Sequence, residues 1–148
     1  MRVLNPIPAL ATLLTLLIGI AFLNCDNTEK FSPEKEAAIN SARHWIALID
    51  SGRYEQSWQI ASAAFKADVT QRQWRIGLEQ IRAPYGRVKS RNIKATKPLE
   101  DRAGGARQKK LVVEFTTFFE NQFAASEFVT VLLENDAIWR VSAYYLDR

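Results

Sequence analysis

Apolar and polar residues alternate from Leu111 onward in a pattern that suits extended chain. Leu111, Val113, Phe115 and Phe119 fall on one side of that alternation, Glu114 and Thr116 on the other, which predicts a strand over 111–119. After a break at Glu120-Asn121-Gln122, residues 127–134 are rich in Val, Thr, Phe and Leu. Asn135-Asp136 then supplies a tight turn, because both side chains tolerate positive φ. Residues 138–146 close the set, with Trp139, Val141, Ala143 and Tyr145 expected on one face. Three antiparallel strands in succession follow from this stretch alone.

Their register depends on the turn. A two-residue loop places Phe128, Thr130 and Leu132 on the face of Trp139 and Val141, whereas a three-residue loop with Ala137 as the odd residue places Val129, Val131 and Leu133 there. A slip of one residue exchanges the faces. In either register the middle strand is apolar on both sides, which a sheet with one wet face does not need. The second face is therefore expected to be at least partly covered, with a second copy of the chain as the candidate partner.

Helical patterning precedes the strands. Ser32-Pro33 reads as an N-cap with proline at the first helical position, and Glu34 and Glu36 suit the first turn. Ala38, Ala42, Trp45 and Ile49 form an apolar stripe at helical spacing, and Asp50-Ser51-Gly52 ends it with a glycine fit for a left-handed exit. A second helix carries Tyr54, Trp58, Ala61 and Phe65; Thr70-Gln71-Arg72-Gln73 opens a third, whose stripe is Trp74, Leu78 and Ile81 before Pro84 and Gly86. Residues 86–97 are the first strand of the sheet, and 99–108, with Gly104-Gly105, a loop. Three helices followed by about four antiparallel strands predict an α+β fold with the helices on one face of a curved sheet.

Residues 1–24 are expected to be a signal peptide, outside the fold. Leu10 to Leu23 is an apolar run of 14, short for a membrane span of roughly 20 residues but suited to a signal core. The only cysteine, Cys25, stands at its end, so no intramolecular disulfide can form. The arrangement resembles a bacterial lipoprotein signal, which implies lipidation of Cys25, a tether over 25–32 and a single domain over 33–148 on the periplasmic side of the cell envelope. An uncleaved anchor is the alternative.

The formal net charge of +4 is unevenly spread. From Arg82 to Lys110 there are ten Lys/Arg against two acids, or +8, while residues 111–148 carry two against six, or −4. Arg87, Lys89, Arg91 and Lys94 are the candidate anionic-surface set on an edge strand, where charges also discourage foreign pairing. An anionic membrane beside the tether is the partner they suggest; nucleic acid is not expected, since no aromatics interleave with them.

Trp45, Leu48-Ile49-Asp50-Ser51-Gly52, Tyr54, Ser57-Trp58, Ala61-Ser62, Gln73-Trp74, Pro84-Tyr85-Gly86, Phe115-Thr116-Thr117-Phe118-Phe119, Val129-Thr130-Val131 and Trp139-Arg140-Val141 with Tyr144 together resemble the small exported bacterial family catalogued as domain of unknown function 4019. The resemblance covers roughly residues 36–146. It implies a cone-shaped fold similar to that of nuclear transport factor two, and no activity. Ala137 stands where an Asp-Gly turn would place glycine.

Few residues point to chemistry. One His and one Cys leave no His/Cys metal site, and His44 falls off the helical stripe. Asp50, at a helix end, Asp68, in a turn, and Glu79 do not read as buried acids, so neither a catalytic set nor a cofactor is expected. Trp45, Tyr54, Trp58, Trp74 and Trp139 are the candidate ligand-binding residues, at a spacing that an ordinary core also uses. Three functions remain: a non-enzymatic envelope binding or interaction module, favoured here; a carrier of a small apolar ligand; and a cone-fold enzyme with a carboxylate base.

Overall fold

A computed structural model describes residues 31–100, 108–121 and 124–147. The signal segment, Cys25 and most of the tether lie outside the described residues, as does the Gly104-Gly105 loop. Four helices, α1 (Pro33–Asp50), α2 (Tyr54–Gln59), α3 (Ala63–Asp68) and α4 (Gln71–Arg82), precede four strands, β1 (Val88–Glu100), β2 (Lys109–Phe119), β3 (Ala125–Leu133) and β4 (Trp139–Asp147). The strands form one antiparallel sheet in the order β1-β2-β3-β4.

The helix ends follow the capping signals. Ser32 Oγ accepts from Lys35 N at 3.3 Å at the start of α1, and Thr70 with Gln73 forms a reciprocal capping box on α4. α1 stops in a Schellman turn, with Arg53 N donating to Leu48 O at 2.8 Å and Gly52 N to Ile49 O at 3.0 Å. Gly52, at φ +73°, makes that turn possible. The expected second helix is two short ones, broken at Ser62. Its side chain caps α3 by accepting from Phe65 N at 3.1 Å, while its own N–H donates to Val141 O at 2.9 Å and ties the break to the sheet.

The core lies between α1 and one face of the sheet. Ala38, Ile39, Ala42, Trp45, Ile46 and Ile49 meet Leu111, Val113, Phe115, Val129, Val131 and Val141, all nearly inaccessible. At about 25 cal/mol per Å² of apolar surface removed from water, this layer is the main source of stability. A smaller cluster of Tyr85, Phe119 and Ala125 closes the other end.

The β3–β4 hairpin takes the three-residue alternative. Glu134 N donates to Ile138 O at 3.0 Å and Ala137 N to Glu134 O at 2.9 Å, and Ala137 sits at φ 62° as the odd residue. Val131 thus pairs with Val141 and Leu133 with Trp139. The alternation then breaks. A bulge at Ser142 lies between the pairs Val131–Val141 and Thr130–Ala143, so Tyr144 rather than Ala143 or Tyr145 continues the inner face. Tyr145, expected beside Trp139, is instead 60% exposed on the outer face, its ring 6.1 Å from Phe128.

Candidate functional site

α4 buries Trp74, Leu78 and Arg82 at intervals of four, while Ile81, expected in the stripe, is left 46% exposed. Glycine at position 86 then turns the chain into β1. It has φ +73°, and a Cβ there would meet Asn121 Nδ2 at 3.0 Å and Glu120 Cβ at 3.1 Å. On β3, Glu127 is two residues before Val129 on the inner face and is fully buried. On β2, Thr117 follows Phe115 in the same way and is also fully buried. Arg91 faces Thr117 across the β1–β2 pair. Its inward direction departs from the expected row Arg87-Lys89-Arg91, because an irregularity between Val88 and Ser90 breaks the alternation there.

These residues meet Asp50 and Tyr144 in one closed network. Arg82 Nη1 donates to Glu127 Oε1 at 2.5 Å and to the Tyr144 hydroxyl at 3.2 Å, and its Nη2 donates to Asp50 Oδ1 at 2.6 Å. Arg91 donates through Nε to Glu127 Oε2 at 2.8 Å and to Thr117 Oγ1 at 3.1 Å. Its Nη1 and Nη2 grip Asp50 Oδ2 at 2.5 Å and Oδ1 at 3.1 Å. The Tyr144 hydroxyl donates to Glu127 Oε1 at 2.6 Å, and the Thr117 hydroxyl donates a short bond to Glu127 Oε2. Two guanidinium groups thus balance two carboxylates. Among the described residues, every buried side-chain polar atom has a partner.

The electrostatics are those of a lock. Asp50 ends α1, where the negative pole of the helix disfavours an acid, and two arginines offset that. Burial works against the charge on Arg82, but Tyr144, Glu127 and Asp50 outweigh it and raise its pKa. Arg91 is raised against the same desolvation by Asp50 and Glu127. Burial, and then the facing Glu127 charge, push the Tyr144 phenol well above its ordinary value, so the hydroxyl keeps its proton. Arg82 also stacks over the Phe119 ring at 4.8 Å. Each Glu127 oxygen accepts from two side chains, whereas Asp50 Oδ2 accepts from one, Arg91, and Asp50 borders a surface cleft.

The candidate aromatics do not line a single cleft. Trp45 and Trp74 are core residues 5.5 Å apart, and their indole N–H groups donate to Ser57 O at 2.8 Å and Ser57 Oγ at 2.9 Å. Trp58 is half-buried and donates to Val69 O at 2.7 Å. Tyr54 lines a surface cleft of about 460 Å³ together with Asp50, Glu79, Arg82 and Arg87. Trp139 lies elsewhere, on the wall of a cavity of about 480 Å³ between the start of α1 and the ends of β1 and β2.

The basic set divides as well. Arg87 is largely exposed and pairs with Glu120 at 3.4 Å, holding that carboxyl below its usual range. Lys89 is exposed, and Lys94 pairs with Glu114 at 2.8 Å. Arg91 is the exception: its side chain is only 12% exposed and belongs to the interior network. His44 is exposed. Among the described residues no group of three or more His, Cys, Asp or Glu could hold a metal ion, and no helix is long and apolar enough to cross a membrane.

Sequence reasoning passed over Glu127, Arg82 and Thr117. The signal was present in their phase: each stands two or four residues from a core position on its own element.

Fold and interior together define an α+β protein, four helices against one open antiparallel sheet, whose interior holds an ion-pair network. The chain belongs to the family described as proteins of unknown function (DUF4019), which matches residues 41–144. No curated protein matches it. Among solved structures it is similar to Aln2 from a Streptomyces species, at 10% identity and a TM-score of 0.49, over 80% of this chain and 93% of that one.

Proposed function

We propose that this is an exported, lipid-anchored protein of the cell envelope that acts as a non-enzymatic interaction module and self-associates through the outer face of its sheet. The observation that carries this reading is that face itself. No described element covers it, yet Phe118 and Phe128 lie on it half-buried beside the exposed Tyr145, among Thr116, Ser126 and Thr130. By register the face also carries Lys97, Lys110 and Arg140 toward its Leu132 end and the paired Glu114, so a two-fold contact centres on the rings and hydroxyls with these charges around it. Asp50 and Glu127 are both engaged by Arg82 and Arg91, which gives the two acids a structural part in joining helices to sheet. An anchor at Cys25 is supported by the apolar run before it.

Sedimentation equilibrium over a range of protein concentrations tests the association: a dimer is expected, and a monomer throughout overturns it. Palmitate labelling of wild type and Cys25→Ala tests the anchor, which requires the label to vanish in the variant.

A further inference from the structure

We propose that the cavity between the start of α1, the end of β1 and the start of β2 binds a small anionic amphiphile, an acyl chain with a carboxylate or phosphate head. This goes beyond the self-association reading and uses a different surface, so either can fail alone. The cavity, about 480 Å³, falls within the roughly 300–1,000 Å³ of small-molecule sites. Its wall is apolar, formed by Ala38, Pro98, Leu99, Leu111 and Trp139. Leu99 remains 38% exposed there, apolar surface that the fold itself does not cover. The Ser41 hydroxyl donates to Trp139 O at 2.7 Å and fixes the start of β4 against α1, so the wall is preformed.

Charge selects the ligand. Among the described residues, Lys35, Lys109 and Lys110 line the rim against one acid, Glu34. The Lys109–Glu34 pair, at 2.6 Å, is about half exposed on both sides, a weak pair that a ligand head group can replace. The contrast with the interior is sharp, since both guanidinium groups there are held by carboxylates. An apolar wall with a net positive rim suits an anionic head above a single acyl chain.

The test uses nuclear magnetic resonance titration of the full chain with palmitate, with hexadecanol as the uncharged match and phosphatidylglycerol vesicles as the bilayer source. Palmitate is expected to shift the Trp139 indole and the amides of Lys35, Leu99 and Leu111. Leu99→Asp should weaken palmitate about tenfold, by placing a charge against the acyl chain. Lys35→Glu should weaken palmitate but not hexadecanol. Both positions are solvent-accessible, and unchanged melting temperatures will confirm folding. Absence of the Trp139 shift, or equal palmitate affinity in wild type and both variants, overturns the proposal. Vesicle binding without a response to palmitate also overturns it, placing the anionic contact at a bilayer surface instead.

Discussion

Arg82, the last residue of α4, reaches Glu127 near the start of β3 at 2.5 Å, and neither side chain is more than 8% exposed. This pair ties the helical layer to the sheet through buried charge. Removing Glu127 leaves two buried guanidinium groups sharing the single carboxylate of Asp50, one positive charge in excess, which costs about 3–5 kcal/mol. Glu127→Ala is therefore expected to lose that much in urea denaturation. A loss below about 1 kcal/mol would show that the network does not hold the fold.

Tyr144 gives the network a pH signature. Its folded pKa is raised above the ordinary value of 10.0, so the folded chain keeps a proton that the unfolded chain releases. The contribution is fully present below pH 10 and is lost as pH rises beyond it. Stability measured from pH 8 to 11 should fall steeply above about 10, and Tyr144→Phe should flatten the fall. At neutral pH the same variant should lose about 1.5–3 kcal/mol, because its hydroxyl bonds charged groups.

Ala137 occupies a backbone region that costs an L-residue roughly 1–2 kcal/mol. Glycine relieves this cost but adds freedom to the unfolded chain. Ala137→Gly should therefore gain about 0.5–1 kcal/mol, seen as a higher melting temperature. No gain would mean that the turn relaxes without it.

Gly52 and Gly86 share φ +73°, but nothing lies within 4 Å of a Cβ at Gly52, whereas one at Gly86 would press on Asn121 and Glu120. Gly52→Ala is expected to cost about 1 kcal/mol from strain alone. Gly86→Ala should cost more, because the neighbouring side chains must also shift. Parallel chemical denaturation of the two variants checks the order.

The elements and their order were legible in the sequence because caps and periodicity are local. Ser32-Pro33, the Thr70–Gln73 box and Gly52 mark helix ends through bonds within a few residues. The interior network was not legible, because its members lie on α1, α4, β1, β2, β3 and β4 and meet only after packing. Local reading assigned Ile81 to the core and Arg91 to the surface by hydropathy. Packing instead turned Arg82 and Arg91 inward onto Glu127 and left Ile81 outside. The bulge at Ser142 shows the same limit. Strict alternation carried Ala143 and Tyr145 inward, and one extra residue delivered Tyr144 there instead.

The central claim is that the outer sheet face is a contact surface between copies of the chain. Phe128 lies on that face beside Tyr145, away from the interior network, so Phe128→Glu should leave the core intact. Sedimentation equilibrium of wild type and Phe128→Glu at matched concentrations is the most direct measurement. The account predicts a dimer for wild type and a folded monomer for the variant, since two facing carboxylates would be buried without partners. A wild-type monomer, or a dimer that Phe128→Glu leaves unchanged, would contradict it.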